Sequence, residues 1–159
     1  MSVTVESAAR TEPGPKLPRM ARSSYLDHLA QIRLFSSFSR RDLQKIAKAS
    51  DEVEVEAGRV LVEEGTTGRE SFVIIDGHAT VKRNGRKVAT LGPGDHFGEL
   101  ALLDGGPRTA TVVADTPMTL LVLGQREFNG VLDELPGLAH KLMASMAQTI
   151  RALDQQAYG

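Results

Sequence analysis

The segment from Phe97 to Val112 holds the residues of this chain that are best suited to form a ligand-binding site. Gly98 lets a backbone approach a ligand closely because it has no side chain. Helix-forming residues follow it for about one turn, and the unpaired amides that begin such a turn attract an anion. Beyond a glycine-rich turn comes Arg108, whose forked guanidinium can hold two phosphate oxygens. The segment therefore predicts a phosphate site.

Glu99 adds a carboxylate nine residues before Arg108. This carboxylate would repel a phosphate unless it faces a hydroxyl donor, such as a ribose 2′-hydroxyl. A ligand that carries both groups is a nucleotide. The alternative is an exposed Glu99–Arg108 ion pair beside a turn, which would contribute little to stability. That alternative suits either residue alone, whereas the complete segment favours a nucleotide site.

The same residues resemble the phosphate-binding cassette of the cyclic nucleotide-binding domain family, whose pattern is F-G-E-[LI]-A-L, a short gap and P-R-[AT]-A. Residues 97–102 and 107–110 meet every fixed position of that pattern. The resemblance implies that Glu99 takes the ribose 2′-hydroxyl and that Arg108 pairs with the cyclic phosphate. It also implies phosphate contacts from backbone amides near Leu100, Ala101 and Ala110. The implied ligand-binding residues are Gly98, Glu99, Leu100, Ala101, Arg108, Thr109 and Ala110.

Thr109 bears on which base is bound. In the family, threonine after the cassette arginine is typical of the cGMP sites of kinases, where its hydroxyl can reach the guanine amino group, and alanine is typical of their cAMP sites. One neutral hydrogen bond contributes about 0.5–1.5 kcal/mol, so Thr109 alone discriminates by roughly tenfold at best. Bacterial-looking members with threonine often still take cAMP. We therefore expect cAMP as the ligand, with a cGMP-selective sensor as the alternative.

Composition narrows the class of protein. The 159 residues carry a net charge of −1 and no cysteine, which excludes disulfide bridges and is compatible with a cytoplasmic location. The first fifty residues hold nine Lys or Arg and four Asp or Glu. The remainder is therefore acidic, whereas a nucleic-acid binder is more often basic throughout. No apolar run approaches the ~20 residues of a membrane span, and the start lacks the apolar segment of a secretory signal.

The elements that must position the cassette follow from hydrophobic periodicity. Residues 1–22 contain scattered prolines and charges, which predict a disordered tail. Residues 23–51 predict two helices, the second begun by Ser39 as N-cap with Asp42 at the third position, close to a capping box.

Residues 52–124 predict short strands, among them a hairpin at Asn84-Gly85. Strands this short and closely spaced indicate an antiparallel sandwich or jelly roll. The predicted fold class is α+β: an antiparallel β-roll, jelly-roll-like, flanked by N-terminal helices and a C-terminal helix pair. The family resemblance identifies the roll as a cyclic nucleotide-binding one, with its cassette at 97–112.

Residues 125–157 predict the C-terminal helix pair, with Pro136 starting the second helix. The family resemblance implies that these helices act as a lid over the base. An a/d pattern would allow a homodimer through the last helix, and packing of that helix on its own barrel is the equal alternative. The residues of that pattern are Ala139, Leu142, Met146, Thr149 and Leu153.

The predicted function is a non-catalytic sensor that converts cyclic nucleotide binding into movement of its C-terminal helices and acts on an effector protein of unknown identity. A cupin-type β-barrel enzyme is the less favoured alternative, because such a site needs histidines and a glutamate around a metal. The four histidines are scattered through unlike contexts and are expected at the surface: His28, His78, His96 and His140. Because they are scattered, we expect no metal site. No helix-turn-helix pattern is found, so we also expect no direct DNA binding.

Overall fold

The computed structural model describes residues 19–158. The helices are α1 (Arg19–Ala30), a 3-10 helix (Arg33–Phe35), α2 (Arg40–Ala49), α3 (Ala101–Asp104), α4 (Gln125–Glu134) and α5 (Leu138–Tyr158). The strands are β1 (Asp51–Val55), β2 (Val60–Val62), β3 (Glu70–Asp76), β4 (Ala79–Arg83), β5 (Arg86–Leu91), β6 (His96–Phe97), β7 (Thr111–Ala114) and β8 (Met118–Gly124).

The strands form two four-stranded sheets, with the orders β1-β8-β3-β6 and β2-β7-β4-β5. Every pairing is antiparallel. The β4–β5 turn has φ 53° at Asn84 and φ 76° at Gly85, as a two-residue hairpin of this type requires. The predicted α+β fold with an antiparallel β-roll between helices is confirmed.

The two central strands of the first sheet, β3 and β8, are buried on both faces, which explains their continuous apolar runs. Phe72 and Ile74 of β3 point into the core between the sheets, whereas Val73 joins the core under the helices. On β8, Leu120 likewise lies in the core between the sheets and Leu121 in the core under the helices. This alternation follows from the two-residue period of a strand. The helical core is completed by Leu29, Ile32, Phe35, Leu43, Ile46, Phe128 and Leu138.

The N-terminal helices differ from the prediction at one boundary. Helix α1 begins at Arg19, so a tail reaching residue 22 was wrong for its last four residues, and residues 1–18 lie outside the described part. The capping box of α2 is confirmed: the Ser39 amide donates to Asp42 Oδ2 at 2.8 Å, and the Asp42 amide donates to Ser39 Oγ at 3.1 Å.

Helix α5 packs along the 3-10 helix and α2. Ser145 is fully buried and its hydroxyl accepts a 3.0 Å hydrogen bond from the Ser37 amide. Lys141 Nζ lies 2.7 Å from Asp42 Oδ2. Pro136 does not start this helix, which begins two residues later, after Gly137 with φ 89°. Within residues 19–158, no helix is long and apolar enough to cross a membrane.

The predicted a/d seam of α5 was wrong in register. Leu142 is buried and Thr149 half-buried on the face that packs against the rest of the chain. The exposed apolar residues lie on the adjacent face instead: Met143 (54% exposed), Ile150 (64%) and Leu153 (53%).

Candidate functional site

A cavity of about 550 Å³ lies between the cassette and the second sheet. All seven residues predicted to bind ligand line it: Gly98, Glu99, Leu100, Ala101, Arg108, Thr109 and Ala110. The opposite wall is formed by strand side chains, namely Val62 of β2, Val81 and Arg83 of β4 and Val112 of β7. The site is therefore a pocket with a polar cassette on one side and a mostly aliphatic wall on the other.

Contacts with other residues of the chain hold the guanidinium of Arg108 in place. Its Nη1 donates to the carbonyl oxygen of Glu70 at 2.9 Å, where β3 begins. Its Cζ lies 5.7 Å from the ring centroid of Phe72, within range of a cation–π contact. The bond to Glu70 uses one of five donors, so most of the fork remains for an anion.

Two glycines make room for the Arg108 side chain. A Cβ atom at Gly68 would lie 2.6 Å from Arg108 Nε, and one at Gly98 would lie 2.6 Å from Arg108 Nη1. Both distances are shorter than a van der Waals contact allows. Gly98 also has φ 80°, a conformation that residues with side chains rarely adopt. Position 98 therefore requires glycine for two reasons, its backbone conformation and the space that Arg108 occupies. Position 68 requires glycine only because of the space that Arg108 occupies.

The β2–β3 loop fixes the backbone of Arg108. The Arg108 amide donates to the Thr66 carbonyl at 2.7 Å, and the Gly65 amide donates to the Arg108 carbonyl at 2.8 Å. Gly68 adds a third bond through its amide to the Gly106 carbonyl at 3.0 Å. These bonds could not be predicted from the sequence, because the two bonded segments lie about forty residues apart along the chain.

Burial and a neighbouring carboxylate shift the pKa of Arg108 in opposite directions. Burial lowers the pKa of the Arg108 guanidinium, and the carboxylate of Glu70 partly offsets that effect. A cation removed from water gains more from an anionic ligand than an exposed one does, because the surrounding dielectric is lower. The partly buried positive charge of Arg108 therefore suits a phosphate ligand.

Glu99 lines the same cavity without pairing with Arg108. Among the described residues, the basic side chain within ion-pair range of its carboxylate is that of His96, with Nε2 at 3.9 Å from Glu99 Oε1. That distance is too long for a hydrogen bond. The Glu99 side chain is 29% exposed. The ion-pair alternative for Glu99 and Arg108 is therefore wrong, and the carboxylate can still accept from a ligand hydroxyl.

One of the three predicted backbone donors is already in use. The Ala101 amide donates to the Gly98 carbonyl at 3.1 Å, so a phosphate contact from this amide would have to share or replace that bond. The tight turn that opens α3 closes this bond one residue earlier than an α-helix would. The amides of Leu100 and Ala110 have no acceptor within the part of the chain that the structure describes.

Arg83 is a site residue that sequence reasoning missed. Its Nε donates to the carbonyl oxygen of Thr109 at 3.1 Å and joins the end of β4 to the cassette. The neighbouring Asn84 amide donates to Glu64 Oε1 at 2.9 Å. The available signal was a basic hairpin next to a turn, a pattern that is usually only a solvated surface.

Two further expectations concern the surroundings of the cavity. Across residues 19–158, no three side chains of His, Asp or Glu come close enough together to hold a metal ion. His96 lines the cavity and is half-buried, whereas His78 and His140 are exposed and His28 is half-buried. Neither C-terminal helix lines the cavity, so the predicted lid does not cover it in this conformation.

Comparison with known proteins gives one family model and many relatives. The model described as "cyclic nucleotide-binding domain" matches residues 52–134. The cAMP-dependent protein kinase regulatory subunit of Schizosaccharomyces pombe is 36% identical over 139 residues, which cover 87% of this chain and 32% of the relative. The chain thus spans about a third of the length of that curated relative.

Two solved structures share the fold. The N-terminal domain of a transcriptional regulator from Streptomyces coelicolor superposes with a TM-score of 0.73 at 30% identity, covering 82% of this chain and 94% of that one. The regulatory domain of Toxoplasma gondii PKA, crystallised with cAMP, superposes with a TM-score of 0.65 at 33% identity, covering 73% and 46%.

Proposed function

Because this chain belongs to the cyclic nucleotide-binding domain family, we propose that its cavity binds cAMP and that the protein is a non-catalytic sensor. The observation that carries the proposal is the position of Arg108, which contacts within the chain fix. Two glycines, a buried carbonyl and the β2–β3 loop hold its guanidinium at the cavity. Preorganisation of this kind lowers the entropic cost of binding an anion.

Each group on the cassette has a role toward a cyclic nucleotide. Arg108 takes the cyclic phosphate, and the free amides of Leu100 and Ala110 add neutral donors to its oxygens. Glu99 accepts a hydrogen bond from the ribose 2′-hydroxyl. These four groups fix the sugar and phosphate, which leaves the aliphatic wall of the cavity for the base.

The choice of cAMP rests on the relatives. The fungal protein is named a cAMP-dependent kinase regulatory subunit, and the Toxoplasma structure contains cAMP. Thr109 lines the cavity and supports cGMP as the alternative ligand. We propose cAMP as the tighter ligand, with cGMP weaker by less than about a hundredfold, or about 2.7 kcal/mol.

A titration of the protein with cAMP and cGMP in parallel tests this proposal, with adenosine as a probe that lacks the phosphate. We expect both nucleotides to bind, cAMP more tightly, and adenosine to bind far more weakly. Tighter binding of cGMP would overturn the choice of ligand. Failure of both nucleotides to bind would overturn the function.

Movement of the C-terminal helices is the proposed output. Leu102 of α3, the helix of the cassette, and Phe128 of α4 belong to one buried cluster. A shift of the cassette would therefore displace α4. Helix α5 is held to the N-terminal helices by polar contacts of Lys141, Ser145 and Gln148. A ligand shifts such an arrangement only by its differential affinity for the two states. The effector that would respond is a separate protein or an attached domain.

We also propose that a second copy of the chain covers the exposed face of α5. Met143, Ile150 and Leu153 are exposed, and together with Met146, which is half-buried against the helical core, they recur at alternating steps of three and four residues. This is the spacing of a two-stranded coiled coil. The docked face of the same helix is already occupied, so this seam is available to a symmetric partner.

The oligomeric state tests the seam. Sedimentation equilibrium is expected to give a dimer for the wild type and a monomer for Ile150→Glu. Ala144→Glu on the opposite, exposed side of α5 serves as the matched control and is expected to remain dimeric. A monomeric wild type at high protein concentration would contradict the proposal.

A further inference from the structure

The end of β4 places a second arginine at the cavity, on the wall opposite the cassette helix. Arg83 lines the cavity although its side chain is largely exposed. Its Nε donates to the carbonyl oxygen of Thr109 at 3.1 Å. This bond holds the Arg83 guanidinium beside Thr109, whereas the Arg108 guanidinium is bonded to the Glu70 carbonyl.

The remaining donors of Arg83 are unoccupied. Neither of its terminal NH₂ groups has a hydrogen-bond acceptor among residues 19–158, and the Thr109 hydroxyl likewise has none there. Arg83 therefore presents a planar set of donors at the rim of the cavity. A ligand group that meets it must offer acceptors.

The base of a bound nucleotide is the group that reaches this wall. Arg108 and Glu99 engage phosphate and sugar on the cassette side, so the base extends toward Val62, Val81 and Arg83. The two valines offer apolar contact to any purine. Arg83 is the charged side chain on that part of the cavity lining and can distinguish one purine edge from another.

Purines differ at the edge that an arginine can read. Guanine and hypoxanthine present the O6 and N7 acceptors side by side, and a guanidinium pairs with both at once. Adenine presents N7 as one acceptor, but the N6 amino group beside it is a donor, which the N–H groups of a guanidinium repel. An arginine therefore favours a 6-oxopurine over adenine.

We infer that Arg83 is a base-reading residue that adds affinity for 6-oxopurine cyclic nucleotides and so narrows the margin by which the site prefers cAMP. The inference rests on the proposed binding of cyclic nucleotides at this cavity. It concerns a residue outside the cassette, and it is separate from the effect of the Thr109 hydroxyl. The competing explanation is that Arg83 serves only to tether the hairpin to the cassette.

Three ligands separate these explanations: cAMP, cGMP and cyclic inosine monophosphate. The inosine nucleotide keeps O6 and N7 and lacks the 2-amino group of guanine. Arg83 should therefore act on cGMP and the inosine nucleotide alike, whereas a Thr109 hydroxyl that contacts the amino group acts on cGMP alone. A tether would act on all three ligands equally.

The experiment measures dissociation constants of the full chain and its Arg83→Ala and Arg83→Lys variants for the three ligands. Both variants are expected to lose about tenfold in affinity for the two 6-oxopurine nucleotides, because lysine cannot pair bidentately. Affinity for cAMP is expected to change by less than about twofold, since adenine offers the guanidinium a single acceptor beside an amino donor that repels it. Arg86→Ala, on the same hairpin but outside the cavity lining, is the matched control and should leave all three constants unchanged.

The outcomes are distinguishable. An equal loss for all three ligands would overturn base reading in favour of a tether, and unchanged constants would overturn any role of Arg83 in binding. Wild-type protein that binds none of the three would overturn the proposed function itself. Thermal melting of each variant checks that the fold is retained.

Discussion

Arg108 and Gly68 are in such close contact that a single added carbon at position 68 would overlap the guanidinium. The Cβ would lie 2.6 Å from Arg108 Nε, 2.7 Å from Cζ and 2.8 Å from Cδ. The glycine thus forms one wall of the channel that directs the arginine into the cavity. Gly98 and the Glu70 carbonyl form the other side.

Gly68→Ala is expected to weaken cAMP binding by at least about tenfold, because Arg108 must leave its position to admit the methyl group. The fold should survive, since the atoms displaced belong to a side chain and Gly68 does not need a left-handed backbone. Titration and urea unfolding measure the two effects. Gly130→Ala is the matched control, because a Cβ there meets nothing within 4 Å. Equal affinity in both variants would show that the position of Arg108 does not limit binding.

Much of the site could be predicted from sequence because the cassette is continuous. The seven predicted residues lie within thirteen positions and line one cavity. The capping box of α2 and the Asn84-Gly85 hairpin were equally accessible, since each depends on residues a few positions apart.

What could not be predicted depends on distant parts of the chain. Gly68 and Arg83 reach the cassette from other strands, and nothing in their own neighbourhood of the sequence indicates it. Helix α5 has two adjacent apolar faces, and only the tertiary structure shows that the face with Leu142 is the docked one. The bond between the Ala101 amide and the Gly98 carbonyl could not be predicted, because a tight turn and an α-helical turn have the same sequence pattern.

The ribose contact of Glu99 can be tested with a 2′-deoxy analogue. Glu99→Ala removes the acceptor for the 2′-hydroxyl, so affinity for cAMP should fall while affinity for 2′-deoxy-cAMP should change much less. The preference between the two ligands should shrink in the variant by about 1.5–3 kcal/mol, the range for a hydrogen bond to a charged group. If the variant kept the full wild-type preference, the ribose would have to be recognised elsewhere.

The contact between Lys141 and Asp42 gives the docking of α5 a pH dependence. Burial alone would raise the pKa of Asp42, but hydrogen bonds from Lys141 and Ser39 together lower it. A carboxyl whose pKa is lower in the folded state stabilises that state above its unfolded pKa, near 4. The contribution is lost as the pH falls through the folded-state pKa.

Asp42→Asn is therefore expected to lower the free energy of unfolding by about 1 kcal/mol at pH 7, the net value of a typical hydrogen bond. The difference from wild type should vanish under acid conditions, where Asp42 is protonated in both states. Urea unfolding at several pH values measures it. Asp27→Asn, which removes an exposed ion pair with Arg40, is the control and should show little effect at any pH. A difference that persists in acid would refute the electrostatic explanation.

Ligand binding is expected to change amide hydrogen exchange in residues 125–155. The physical reason is that α4 packs on the cassette helix and α5 follows it after the break at Pro136 and Gly137. Exchange is measured with and without saturating cAMP, and β1, at the far edge of the first sheet, provides an internal reference. Identical protection of residues 125–155 in both samples would exclude a switch in this part of the chain.

The most direct test of the central claim is the affinity of Arg108→Ala for cAMP, measured by calorimetry beside Arg126→Ala. Arg126 is exposed on α4 and outside the cavity lining, so it controls for the loss of one positive charge. Removing Arg108 leaves the phosphate unpaired in a partly buried site, and a loss of about 2–5 kcal/mol in binding free energy is expected. Arg126→Ala should bind as the wild type does. An unchanged dissociation constant in a folded Arg108→Ala protein would contradict the assignment of this cavity as a cyclic nucleotide site.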